Sequence, residues 1–223
     1  GVQITRVPLY PNHGPSAIKR VVNYASFAAS ALVYGLFVAK RADVIYAYHP
    51  PLTVGITASL IRLFRRIPVV YDIQDMWPDT LRATGMINHP RVLNAIEAAC
   101  QWVYKRVDQI VVLSPGFKRL LMQRGVPAAK VEVIYNWADE AALVAPLGQL
   151  PVSFPGSERF RIVFAGNMGK AQAMDAVLDA AAILQARDSR VCFVLLGGGV
   201  EVNQLKQRTA QLHLSNVIFL PPV

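Results

Sequence analysis

Seven short apolar runs recur along the chain: "DVIYAY" (43–48), "IPVVYDI" (67–73), "VDQIVVL" (107–113), "KVEVIY" (130–135), "FRIVFAG" (160–166), "VCFVLLGG" (191–198) and "NVIFL" (216–220). Each is separated from the next by a segment of helical length. Strands that are apolar on both faces and alternate with helices belong to parallel sheets covered by helices. The expected class is therefore α/β. The segment "AALVAPLGQLPVSFPGSE" (141–158) breaks the alternation with three prolines, two glycines and no period, as a linker between two sheets does. The expected organisation is a first domain over 1–140, a linker over 141–158 and the first part of a second domain over 159–223. The chain opens at Gly1 and stops at Val223 just after a strand, so both domains are expected to be incomplete pieces of a longer protein.

Charge narrows the partners. The net charge is +9, with 16 Lys and Arg against 9 Asp and Glu over residues 1–140, and 7 against 5 in the remainder. Such a field favours anionic partners such as lipid headgroups and nucleotide phosphates. The basic residues come as scattered pairs with no reading motif, which argues against nucleic acid. Cys100 and Cys192 lie in a helical and a strand segment without metal-ligand spacing or a disulfide framework, and a reducing cytoplasm fits them. Residues 21–39 carry no charge and are bracketed by Lys19-Arg20 and Lys40-Arg41, approaching the ~20 residues a bilayer span needs. Asn23, Ser26, Ser30 and Gly35 interrupt that run and a strand follows at once. The readings left open are a buried crossover helix, a helix touching the membrane interface and, least favoured, a true membrane span.

Ligands of open parallel sheets bind beyond the carboxyl ends of the strands, so chemistry is sought in the loops that follow them. In "DIQDMWPDT" an Asp can orient an acceptor hydroxyl and Trp77 can stack on a sugar face; equally, Asp79 can cap a helix while Trp77 fills the core. Ser114-Pro115 reads as an ordinary helix start. His49, ahead of two prolines, is placed to meet a phosphate or a sugar hydroxyl, or else is structural. In "FAGNMGKAQAMD", Gly166 and Gly169 permit close backbone approach, and the helix that follows offers free N–H groups to an anion. That helix has Met174, Val177, Leu178, Ala181 and Leu184 at core spacing. "LLGGGVE" brings Gly197 to Gly199 to the end of the neighbouring strand.

The order "DMWPD", "VVLSPGFKRLLMQRGVPAAKVEVIYNWADE", "FAGNMGKAQAMDAVLDAAAIL", "FVLLGGGVE" and "NVIFLPP" resembles the group 4 glycosyltransferases of the two-domain GT-B fold. Within them it is most similar to the WbuB/WcaI type of bacterial O-antigen and colanic-acid assembly. The resemblance covers nearly the whole chain. It implies two Rossmann-like domains and a hexosyltransferase-type enzyme. That enzyme transfers a sugar, with retention, from a nucleoside-diphosphate donor, UDP-linked, to a lipid-linked acceptor in cell-surface polysaccharide synthesis. It further implies a cytoplasmic protein, peripheral on the inner face of the cell membrane, with an anionic membrane surface as partner and neither metal nor cofactor beyond the donor.

Carried over residue by residue, the resemblance puts Asp75, Trp77, His49 and Asn136 on the catalytic and acceptor side. Gly166, Asn167, Gly169, Lys170 and Gln172 fall around the donor diphosphate, and Gly197, Gly199, Pro221 and Pro222 around the nucleoside. Many relatives have Arg and Lys where this chain has Asn167 and Gln172, and a His where it has Gln74. The diphosphate would then rest on one cation, Lys170, together with amide side chains and helix N–H groups. Retaining transferases of this kind are thought to use the donor's own phosphate oxygen as base. Because expected segments lie outside the chain, low turnover by these 223 residues is expected. The rival expectation is a noncatalytic sugar-nucleotide or lipid-binding fragment. A dinucleotide-dependent epimerase or dehydrogenase is disfavoured because "GNMGKA" lacks the G-x-G-x-x-G spacing.

Overall fold

The computed structural model describes residues 1–12, 17–140, 155 and 158–222. The segment expected to link two domains therefore lies, apart from residues 155 and 158, outside the described residues. By spatial contact the chain forms two compact units, Gly1–Thr80 with Ile87–Ala138, and Asp139–Val223 with Leu81–Met86.

All seven apolar runs contain strands. The first unit begins with a strap, residues 1–12, that has no regular structure. After it come α1 (Ala17–Phe37), β1 (Ile45–His49), α2 (Leu52–Arg65), β2 (Val69–Ile73), α3 (Asp79–Ala83, of which residues 81–83 fall in the second unit), α4 (Pro90–Arg106), β3 (Gln109–Val112), α5 (Pro115–Gln123) and β4 (Val131–Val133). The sheet runs β1-β2-β3-β4, all parallel, with Tyr46 opposite Val70, Ile110 opposite Tyr71 and Val131 opposite Ile110. Its core is built from Val69, Val103, Ile110, Val112, Leu121 and Val131, all fully buried. Ser114 accepts the Phe117 N–H at 3.2 Å ahead of Pro115, so the ordinary helix-start reading describes α5. At the opposite end of the sheet, Arg62 of α2 holds Asp108 through two hydrogen bonds of 2.6 Å. The Val69 N–H adds a third at 2.8 Å. These donors keep the Asp108 carboxyl below its ordinary pKa.

The second unit contains β5 (Phe160–Ala165), a 3-10 turn (Lys170–Gln172), α6 (Met174–Arg187), β6 (Val191–Leu196), α7 (Val202–Gln211) and β7 (Val217–Leu220). The strands pair in parallel in the order β5-β6-β7. Met174, Leu178 and Ala181 are buried on α6 as their spacing predicts, and they pack with Met168, Phe193 and Leu195. Arg208 ties α7 to α6 through Asp175 and Asp179. The buried Asn216 amide donates to the Ala181 carbonyl at 2.8 Å.

The expectation that strands are covered on both faces needs correction at two edges. On β1 the burial alternates: Ala47 and His49 are buried, while Tyr46 and Tyr48 are 58% and 55% exposed. On β5, Phe160 and Val163 are exposed. Parallel strands in sequential order, joined by right-handed crossovers, send their helices to one face, and an edge strand has a neighbour on one side only. In keeping with this, α2 packs on α4, and α6 on α7.

The uncharged run forms α1, and its polar residues have a purpose that the sequence hides. Asn23, Ser26, Ser30 and Tyr34 recur at helical spacing and bind the strap. Asn23 Nδ2 donates to the Tyr10 carbonyl at 2.6 Å and Ser26 Oγ accepts the Tyr10 N–H at 2.9 Å. Ser30 donates to the Pro8 carbonyl, and the Tyr34 and Thr5 hydroxyls lie 3.1 Å apart. Arg65 of α2 caps the far end of α1, donating to the Gly35 and Ala39 carbonyls at 2.7 and 2.8 Å. Among the described residues no helix is long and apolar enough to cross a membrane.

Candidate functional site

Each sheet presents its strand-end loops by itself, and the two sets are built differently. In the first unit the loop after β2 is braced by side chains. Asp72, 5% exposed, accepts the Tyr46 hydroxyl at 2.5 Å and Gln74 Nε2 at 2.7 Å. Gln74, at the position where many relatives carry His, is thus engaged in holding a carboxylate. Asp75 accepts the Thr80 hydroxyl at 2.5 Å. Arg124 pairs with Asp79 and donates to the Trp77 carbonyl at 2.9 Å. Asp79 is the first residue of α3 rather than its cap, and its carboxylate serves this ion pair.

His49 ends β1 and is 2% exposed. Its ring meets Trp77 edge-on at 5.4 Å and Tyr71 at 5.9 Å. Burial pushes its pKa down to about 4, with Asp75 and Asp72 opposing the shift only in part. The imidazole is therefore neutral at physiological pH. Its Nδ1 finds no hydrogen-bond partner among the described residues, unlike most buried polar groups. Trp77 is half-buried against the core, so the core reading and the stacking reading share one residue. His49, Asp75 and Trp77 are brought together; Asn136 is exposed on the segment after β4, next to Trp137.

In the second unit the loops after β5 and β6 close on each other through the backbone. The ladder continues past the strands: Gly166 N–H donates to the Leu196 carbonyl at 2.9 Å, and Met168 N–H to the Gly198 carbonyl at 2.7 Å. In return Met168 O accepts from Glu201 N–H at 3.1 Å, while Gly197 N–H reaches the Leu220 carbonyl at 3.1 Å. A Cβ on Gly197 would sit 2.0 Å from Gly166 O, and one on Gly199 would sit 2.3 Å from Met168 O. Both residues also have left-handed φ, 138° and 144°. Part of the glycine signal thus answers to loop-on-loop contact rather than to a ligand.

Gln172 also turns inward. Its Oε1 accepts the Gly169 N–H at 3.1 Å, closing the 3-10 turn. That turn and Ala173, with φ 47°, separate the glycine loop from α6, which starts at Met174. No side chain caps the α6 N-terminus. Lys170 is exposed on the turn.

What remains open above these loops is a cavity of about 540 Å³ lined by Gly166, Asn167, Leu196, the Gly197–Gly199 run and Pro222. Beside it, a cavity of about 390 Å³ is lined by the same run with Val202, Lys206, Phe219, Pro221 and Pro222. The expected donor residues Gly166 and Asn167, and the expected nucleoside residues Gly197, Gly199, Pro221 and Pro222, therefore share one rim. Lys170 and Gln172 stand off it. Sequence reasoning missed Lys206, a second cation facing this region and 5.8 Å above the Phe219 ring. Its spacing, four residues after Val202 on the helix that follows the glycine run, is the signal that was available. Among the described residues no group of three or more His, Cys, Asp or Glu side chains converges on a metal-sized site.

Three kinds of comparison bear on these loops. The family model described as "Glycosyl transferase 4-like domain" matches residues 1–137. The putative colanic acid biosynthesis glycosyl transferase WcaI of Escherichia coli is 25% identical over 237 residues, covering 98% of this chain and 55% of that protein. The probable glycosyltransferase WbjE of Pseudomonas aeruginosa is 23% identical over 180 residues, covering 78% of this chain and 44% of that protein. The chain thus spans about half the length of these curated relatives. Among solved structures, Anabaena Alr3699/HepE in complex with UDP-glucose superimposes with a TM-score of 0.61 at 16% identity, over 93% of this chain and 54% of that one.

Proposed function

From a chain that belongs to the glycosyl transferase 4-like domain family and carries the parallel α/β units of the GT-B fold, we propose a retaining transferase. It moves a sugar from a UDP-linked donor to a lipid-linked acceptor in bacterial cell-surface polysaccharide synthesis, working on the inner face of the cell membrane. The observation that carries the reading is the pair of interlocked glycine loops, which leaves a cavity at the carboxyl ends of β5 and β6. Ligands of open parallel sheets bind at such ends. The kinship with WcaI and WbjE supports the sugar-transfer chemistry, and the UDP-glucose held by HepE supports the donor class.

In this reading the bond between the anomeric carbon and the diphosphate oxygen breaks, and a bond from that carbon to the acceptor oxygen forms on the same face. The acceptor proton leaves on the departing phosphate. The protein's share is electrostatic: charge grows on the leaving diphosphate, and fixed donors aimed there lower the barrier. The donors in this reading are the Asn167 amide on the cavity rim and, beside the rim rather than on it, Lys170 and the uncapped N–H groups of α6. Gln172 contributes indirectly, by holding Gly169. On the acceptor side, Trp77 offers an apolar edge to a sugar ring, and the buried neutral His49 ring braces it edge-on. Asp75 has one carboxylate oxygen engaged by Thr80, which leaves the other for an acceptor hydroxyl.

UDP titrated into the protein by calorimetry tests this. Binding is expected, and Lys170→Ala should weaken it by about 1.5–3 kcal/mol, the usual worth of a charged hydrogen bond. No binding of UDP or of other nucleoside diphosphates would leave the glycine loops as tight turns and bring the noncatalytic reading forward.

A further inference from the structure

Residues 101–130 hold six Lys and Arg against one acid, Asp108. That acid is taken by Arg62 and by the Val69 N–H. Between α4 and the turn that follows α5 lies a cavity of about 530 Å³, lined by Lys105, Arg124, Lys130, buried Tyr104 and the Gly125–Pro127 turn. Its volume falls within the roughly 300–1,000 Å³ of small-molecule sites. Lys105 stands in the last turn of α4, which leads to β3, and Lys130 stands just ahead of β4. The cavity is therefore at the amino end of the sheet, away from the strand-end loops where the ligands of such sheets usually bind. Three of its lining residues are cations and none is acidic.

Helix ends and neighbouring acids leave two of these cations unaccounted for. Basic side chains often answer the last carbonyls of a helix. At the end of α5 the backbone does this instead: Leu120, Leu121 and Met122 accept from the Arg124, Val126 and Gly125 N–H groups, and Gly125 makes the turn with φ 84°. The Arg124 carbonyl accepts Gln101 Nε2 at 3.1 Å. At the end of α4 it is Arg106 that donates to the Trp102 carbonyl and lies over its ring. Neither Lys105 nor Lys130 has an ion-pair partner among the described residues. Lys130 is half-buried, and burial, with Arg62 adding to it, holds its ammonium below the ordinary pKa against the pull of Asp108. A cation kept partly out of water gains when an anion joins it. Arg124 is committed elsewhere. It pairs with Asp79 and donates to the Trp77 carbonyl at 2.9 Å, so the cavity and the loop after β2 share one side chain.

We propose that this cavity binds a small free anion carrying one or two phosphoryl groups between Lys105 and Lys130, and that the anion competes with Asp79 for Arg124 and so loosens the loop after β2. The site uses none of the donor-loop residues, so it stands or falls independently of sugar transfer. Coupling of this kind is reciprocal: whatever frees Arg124 from Asp79 must also tighten the anion.

Hydrogen exchange of the protein in the presence of inorganic pyrophosphate, read by mass spectrometry, tests both parts. Protection is expected over 101–106 and 124–130, with faster exchange over 74–80, and neither with sodium chloride at the same ionic strength. Lys105→Ala, at an exposed position, and Lys130→Met should each raise the pyrophosphate concentration for half-protection by roughly tenfold, the worth of one charged hydrogen bond. Arg119→Ala, exposed on α5 and off the lining, should leave it unchanged. Asp79→Asn, which releases Arg124, should lower it by about fivefold or more. Protection matched by chloride, or untouched by Lys105→Ala and Lys130→Met alike, overturns the site. Protection of 166–173 alone would put the anion on the glycine loops and overturn it too. An unchanged half-point in Asp79→Asn overturns the link through Arg124. Protection by vesicles containing phosphatidic acid but not by pyrophosphate would give the cations to a lipid headgroup and overturn the free anion.

Discussion

The loop after β2 and the loops after β5 and β6 do comparable work with different materials. The first is a cross-braced set of side chains in which Tyr46, Gln74, Thr80 and Arg124 each hold a carboxylate. The others are backbone against backbone, at distances that leave no room for a Cβ at two positions. Side-chain bracing tolerates exchange of one partner at the cost of one hydrogen bond, about 1–3 kcal/mol when a buried group is left unpaired. Backbone bracing tolerates almost none. A loop of the first kind can be retuned one partner at a time, and a loop of the second kind keeps one shape.

The contrast breaks first at Gly199. Gly199→Ala adds left-handed strain to a collision with the Met168 carbonyl, and a loss of roughly 3 kcal/mol or more is expected from the two together. Denaturant unfolding followed in the second unit should register it, and a stable variant with UDP affinity intact would mean that the loops are not interlocked.

The first unit should instead break with acid. His49 titrates at 6.5 when unfolded and is held down to about 4 in the fold. Between those values the unfolded chain binds the extra proton. Stability is therefore fully present above pH 6.5 and is lost as pH falls toward 4, by roughly 3 kcal/mol in all. His49→Gln removes the titrating group, so its stability should be flatter over that window; an unchanged slope would place the acid sensitivity elsewhere.

A smaller effect sharpens the comparison at Gln172. Gln172→Ala leaves the buried Gly169 N–H without its acceptor and should weaken UDP binding by about 1 kcal/mol. Gln172→Glu restores an acceptor, and with it the turn, but sets a negative charge near the diphosphate. It should therefore match the parent in melting temperature while binding UDP more weakly than Gln172→Ala does. Equal UDP binding by both variants would remove Gln172 from the donor site.

Much of this was legible in the chain. Each of the seven apolar runs contains a strand, because a strand buried within a parallel sheet needs β-branched and apolar residues without a break. The Ser114-Pro115 start of α5, the buried spacing of α6 and the inert placement of Cys100 and Cys192 follow local rules in the same way. The glycine pair at 197 and 199 announced close approach, but not to what. Sequence spacing measures proximity along the chain, and the Gly166 and Met168 carbonyls that exclude a Cβ belong to the preceding strand-end loop.

The same limit explains the side chains whose partners the sequence does not give. Gln172, expected around the donor diphosphate, closes a turn; Gln74, where many relatives carry His, steadies Asp72; Lys206 went unnoticed. A polar side chain has several partners within reach, and its choice is made by which strand lies alongside. Composition and period therefore determined the parallel α/β architecture and the places where loops must be tight. Tertiary packing alone decided which polar groups are engaged in holding those loops and which are left facing a ligand, because hydrogen bonds are settled at 3 Å, between residues that the fold, not the chain order, makes neighbours.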